Sequence, residues 1–452
     1  MNEFRSTPQQ TSTVTAMLRE RDREILHLAI PAFGSLVAGP LYVLADTAIV
    51  GHIGRDALAA LGVASAILLP AYAIFNFLAY NTTGAVARSR GAGNDAAAAA
   101  HGLAGLWLSV AIGITVLVLG IASAEPITNA ISPNSEVASL ALTYLRISFC
   151  GAPMFMIALA ATGYLRGAED TKTPLFIAIG ANITNIVLEL VFVYKFDWGI
   201  AGSAWGTVIA QTIAACAFLI ITNAHFQRAD VTLRPHWQSI KTTARVGVHL
   251  MLRTGSLITA FFVASVLAAR LGATQIAAHQ IAEQIWVFLA FALDAIAIAG
   301  QVIVGRTLGA GDHAATRKAT ATMLRWGWWS GCICAVLIIG LHQWLPKLFT
   351  NDIAIRQEVG QLLWIVAAMQ PIGAIVYVLD GILIGAGDVR YLARAMAWAS
   401  AVFLAAAASV VMLGGNLVAL WFALFAFVIA RFGGMVHRYR GPTWLVLGQT
   451  PP

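Results

Sequence analysis

The chain has 452 residues, of which 59% are hydrophobic and 11% charged, and its mean hydropathy is +0.77. So apolar a composition excludes a soluble globular protein of this length and predicts an all-α membrane protein that crosses the bilayer many times. The net charge of +7 comes from basic residues scattered through short polar stretches, the pattern of orientation signals, and nucleic acid is excluded as a partner.

Residues up to Glu24 are polar and mixed in charge, without the apolar core of a signal peptide, so the first span is expected to remain in the mature protein. Apolar runs of about 20 residues then predict twelve spans, at 25–51, 57–83, 97–122, 137–164, 174–196, 199–223, 246–270, 274–303, 316–340, 357–384, 390–413 and 416–436. The first span holds Asp46 together with Pro31 and Pro40. A carboxylate among lipid tails costs about 2.5–3.5 kcal/mol, so Asp46 is expected to face a protein interior or a water-filled cavity. A proline removes one helical hydrogen bond, which makes Pro31 a candidate hinge.

Span order assigns the connections to two sides, and 21 of the 28 Lys and Arg residues fall on the side of the termini. Both termini are therefore expected in the cytoplasm. The expected organisation is a cytoplasmic segment 1–24, a six-helix lobe 25–223, a cytoplasmic linker 224–245, a second six-helix lobe 246–437 and a cytoplasmic tail 438–452. The four cysteines lie inside apolar segments and imply neither a disulfide framework nor a metal site. No H-E-x-x-H is present, most of the ten histidines lie near span ends, and an intramembrane enzyme is disfavoured; no cofactor is expected.

The chain repeats itself in constant register. Gly54-Arg-Asp-Ala-Leu-Ala-Ala recurs as Gly272-Ala-Thr-Gln-Ile-Ala-Ala, Arg88-Ser-Arg-Gly-Ala-Gly as Arg306-Thr-Leu-Gly-Ala-Gly, and Gly167-Ala-Glu-Asp as Gly385-Ala-Gly-Asp, each pair 218 positions apart, as are Pro153 and Pro371. Six spans per half give both halves the same orientation, so a pseudo-two-fold axis should run along the membrane normal, an architecture of transporters whose lobes rock about a central site.

The stretches Asp46-Thr-Ala-Ile-Val-Gly-His-Ile-Gly, 269–280 (ARLGATQIAAHQ), 301–312 (QVIVGRTLGAGD) and 379–388 (LDGILIGAGD) resemble the multidrug and toxic compound extrusion (MATE) family, in particular its DinF-like bacterial branch. The resemblance implies a monomeric antiporter of the bacterial inner membrane that exports cationic or amphipathic small molecules in exchange for H⁺ or Na⁺. Sodium-coupled relatives bind the ion through acidic residues of the seventh and tenth spans. Here the seventh offers Arg253, which favours H⁺.

At 1.5 Å of rise per residue, Asp46, Tyr144, Glu189 and Thr207 all lie roughly 10–12 Å below the outer surface, and Asn185, one turn from Glu189, about 17 Å down. The same five match the family's polar network around its proton-binding aspartate, with Glu189 where most such members carry Asp. Two carboxyls shielded from water should not both ionise easily, so the pair is expected to titrate as one unit. In the second half Arg253, Glu283, Asp294 and Asp380 form a candidate ion-pair or cavity group, with Asp380 the favoured partner of Arg253, for static pinning or for gating. Asp294 corresponds to Asn76 across the repeat, and with Tyr72, Phe75, Trp286 and Phe288 these are candidate cavity-lining residues. The membrane charges read as mostly acidic, which disfavours a lipid-linked precursor flippase.

Overall fold

The computed structural model describes residues 8–131 and 134–448, with side chains from residue 22 onward; the remainder of the expected terminal segments lies outside the described residues. Helices run α1 Pro8–Gly51, α2 Arg55–Ala73, α3 Phe77–Gly91, α4 Asp95–Ile131, α5 Ser135–Cys150, α6 Ala152–Gly167, α7 Lys172–Leu190 and α8 Gly199–Arg228, then α9 Trp237–Leu271, α10 Ala273–Gly309, α11 His313–Leu341, α12 Leu345–Phe349, α13 Ile353–Gly385, α14 Val389–Met412 and α15 Leu417–Arg440. Among the described residues, eleven helical stretches are long and apolar enough to cross a bilayer, and the bent pair α5–α6, taken as one span, makes a twelfth. Long apolar segments must satisfy their backbone groups internally, and helices do this segment by segment.

Several spans depart from simple rods. α1 begins at Pro8 and continues as one helix through both Pro31 and Pro40; close to the second proline, Asn182 of α7 donates to the Ala38 carbonyl at 2.7 Å. A three-residue 3-10 turn at Ile74–Asn76 divides α2 from α3. The pair α5–α6 bends by 48° at Gly151, two residues before Pro153. At the equivalent place in the second half, Met369 and Pro371 stay inside the unbroken α13. Between the halves, α8 continues to Arg228 and α9 starts at Trp237, so the connection is shorter than the expected linker.

The repeat is visible in three dimensions as a set of glycine contacts. Gly163 and Gly167 of α6 lie on the backbone of Ala79 and Thr83 in α3, and Gly381 and Gly385 of α13 lie in the same way on Ala297 and Gln301 in α10. Small residues let membrane helices approach closely, and packing then supplies the association that hydrophobicity cannot supply among lipid tails. The lobes meet where α1 begins and residue 448 lies, here called the terminal end. There Gly91 sits against Arg306 and Gly309 against Arg88, Arg306 pairs with Glu24 and with Glu169, and the Arg88 guanidinium donates to the carbonyls of Ala386 (2.8 Å), Gly448 (2.6 Å) and Val446.

Candidate functional site

Inside the first lobe, α1 places Asp46 with 4% of its surface exposed. Tyr144 of α5 donates to its Oδ2 at 3.2 Å, and Ser203 of α8 donates to Oδ1. On α7, Asn185 and Glu189 stand one turn apart, so the Asn185 amide donates to Glu189 Oε1 at 2.9 Å and to Thr207 Oγ1 at 3.3 Å. The Thr207 hydroxyl donates to the Ser203 carbonyl, 3.1 Å away, which leaves Tyr42 as the donor in the 2.7 Å Tyr42–Thr207 bond. Glu189 is fully buried, its Oε2 has no hydrogen-bond partner, and it lies within hydrogen-bonding reach of Asp46.

Local structure holds the pair together. Gly206 brings α8 so close that a Cβ there would stand 2.9 Å from Glu189 Cγ. Immediately after Glu189, a π-helical turn spans Val191–Lys195, and Tyr194 within it donates to the Ile49 carbonyl of α1 at 3.0 Å. All five residues expected in this layer are thus brought to one place. Tyr42 and Ser203 were missed, although each lies four residues before an expected member, Asp46 and Thr207, on the same helix face.

The second lobe is arranged differently from expectation. Arg253 of α9 pairs with Asp380 of α13, and the same Oδ2 also takes Arg431 of α15 at 3.3 Å. Arg431 counts as a basic residue near a span end by sequence, yet it is only 2% exposed, stacked over Phe427 and Tyr377 with its Cζ 5.6 and 5.9 Å from the ring centres. Arg166, also counted with the loop residues, is buried between the lobes; its guanidinium donates to Ser35 of α1 at 3.1 Å. Arg166, Arg253 and Arg431 thus lie within the packed bundle, alongside the carboxylates of Asp46, Glu189, Asp294 and Asp380.

Asp294 pairs with none of them within 4 Å among the described residues; it lies within hydrogen-bonding reach of Tyr80 and in the field of Arg253 and Arg166. Tyr80, its neighbour from the first lobe, stands one turn beyond Asn76, the residue that corresponds to Asp294 in the repeat. Glu283 does not belong to this group. It sits 3.5 Å from His279 Nε2 on its own helix, and His279 is enclosed by Ser265 and Trp421. Of the aromatic candidates, Tyr72 stacks on Phe155 at 4.7 Å, Phe75 packs near Phe77, Trp286 is buried on Phe261, and Phe288 is 55% exposed.

The MatE family model matches residues 31–191 and 249–411. The chain is 32% identical over 448 residues to Protein DETOXIFICATION 44, chloroplastic, of Arabidopsis thaliana, covering 95% of this chain and 84% of that one. It is 26% identical to DNA damage-inducible protein F of Escherichia coli, covering 95% of each. Among solved structures it is similar to a MATE protein in the bent conformation, with a TM-score of 0.86 at 20% identity over 94% of this chain and 96% of the other. It is also similar to an outward-facing multidrug resistance MATE transporter, with a TM-score of 0.83 at 21% identity over 93% of this chain and 96% of the other. With the model matching the same portion of both halves, the protein belongs to the MatE family of membrane transporters.

Proposed function

We propose that the protein is a proton-driven antiporter that exports amphipathic small molecules, seated in a bacterial cytoplasmic membrane with both termini inside. The observation that carries this reading is the Asp46–Glu189 pair, enclosed by the hydroxyls of Tyr144 and Ser203 and the amide of Asn185. Two carboxyls so close and so dry hold one proton between them more readily than two negative charges. Release of that proton to the inner side, and its uptake from the outer, would be coupled to the lobe movement that carries substrate the other way. Each proton moved through 100 mV supplies about 2.3 kcal/mol, and each pH unit adds about 1.4 kcal/mol.

The excess of Lys and Arg supports a cytoplasmic terminal end, and with that orientation lobes closed at that end correspond to a form open outward. Proteoliposomes given an imposed pH gradient should drive transport in the wild type and none in Asp46→Asn. A sodium gradient that drives transport without a pH gradient would overturn proton coupling in favour of the sodium-coupled alternative.

A further inference from the structure

The interlobe charges do not balance. Among the described residues, Arg166, Arg253 and Arg431 face two carboxylates: Asp380, which pairs with Arg253 and Arg431, and Asp294, which lies in the field of Arg253 and Arg166. Asp380 is shared through a single oxygen by Arg253 and Arg431, and the Nε of all three arginines has no hydrogen-bond partner. Arg166 has no carboxylate within 4 Å among the described residues and is 7% exposed. An arginine cannot discharge by losing its proton, and an uncompensated buried charge costs several kcal/mol. The three also come from both lobes: Arg166 is on α6, while Arg253 and Arg431 are on α9 and α15. The Tyr377 ring lies beside Arg431, and the Trp286 ring lies 6.4 Å from that of Tyr377.

We propose that these arginines anchor the transported substrate and that the substrate is an amphipathic organic anion whose carboxylate or phosphate oxygens bridge Arg166 of one lobe and the Arg253–Arg431 pair of the other. A guanidinium fork matches such an oxyanion through paired hydrogen bonds, and the adjoining rings suit an aromatic body. Asp294, half-buried beside Tyr80, competes for the same arginines, so it keeps the empty site close to neutral and yields to the incoming anion. An anion held from both sides also joins the lobes, which gives its occupancy a direct effect on their movement. The inference takes export by this protein from the reading above and adds the charge of what is exported.

Equilibrium binding of radiolabelled salicylate to the purified full-length protein in detergent tests it without any proton gradient. Salicylate should bind, Arg166→Gln should weaken it about tenfold, the worth of one charged hydrogen bond, Arg166→Lys should retain most of the affinity, and Asp294→Asn should tighten it. A purely structural role for these residues does not predict changes of opposite sign. Inorganic phosphate that displaces salicylate better than succinate does assigns the site to phosphate-bearing anions, and the reverse to carboxylates. Binding of tetraphenylphosphonium with no binding of salicylate or phosphate, or salicylate binding that Arg166→Gln leaves unchanged while the variant elutes as folded protein, overturns the proposal. The readout uses no proton gradient, so a failure of proton coupling leaves it intact, and Gly180→Ala, where a methyl group meets nothing within 4 Å, should bind salicylate like the wild type.

Discussion

Gly309 lies flush against Arg88 across the lobe boundary: a methyl group at 309 would overlap the Arg88 carbonyl oxygen, and the equivalent glycine, Gly91, meets the carbonyl of Arg306 in the same way. The obstacle in each case is backbone, which cannot swing aside as a side chain can. Gly309→Ala or Gly91→Ala should therefore hold the lobes apart at the terminal end. Transport in proteoliposomes is expected to fall at least tenfold at unchanged expression. Gly180→Ala, where a methyl group meets nothing within 4 Å, should transport normally.

The first-lobe network predicts a graded series. Asp46→Asn should abolish pH-driven transport while the protein stays folded, because the amide has the carboxyl's size but carries no exchangeable charge. Glu189→Gln should be nearly as damaging if the two carboxyls share a proton, and Glu189→Asp should retain activity. Ser203→Ala removes one donor to Asp46, a charged hydrogen bond worth about 1.5–3 kcal/mol, and should shift the pH profile of transport without eliminating it. A flat response of that profile would remove Ser203 from the network.

Since Asp380 serves two arginines, the penalties of breaking the cluster should be unequal. Arg253→Ala leaves Asp380 with Arg431 and should destabilise by less than the roughly 3–5 kcal/mol typical of a broken buried pair. Asp380→Asn strands two guanidinium groups and should exceed it in thermal unfolding. A double-mutant cycle should show coupling of roughly 0.5–3 kcal/mol between Arg253 and Asp380, and a smaller value between Arg253 and Asp294.

The C-terminal stretch is bound into the closed end. Trp444 is fully buried and stacks on Tyr439 at 5.5 Å, Gly448 donates to the Leu308 carbonyl at 3.0 Å, and Arg88 takes the carbonyls of Val446 and Gly448. Truncation after Gly441 should loosen this end. Hydrogen exchange across 84–91 and 302–309 should then speed up, while α7 and α8 around Glu189 exchange as before.

Twelve spans, the all-helical class and the duplication were legible in the residues themselves, since hydropathy and a 218-position register are properties along one dimension. The layer of Asp46, Tyr144, Asn185, Glu189 and Thr207 was legible as well, because helical rise converts sequence position into depth. Arg166 and Arg431 were not. Hydropathy places both near span ends, where a charge ordinarily meets water, and nothing along the chain says that two lobes close over that end. Glu283 shared a lobe and an acidic character with Asp294, but the two stand 11 positions apart on α10, roughly 16 Å of rise, so packing assigned them different neighbours. Whether a charge in a membrane protein faces lipid, water or another charge depends on which helices surround it, and that is decided by contacts between residues far apart in the chain.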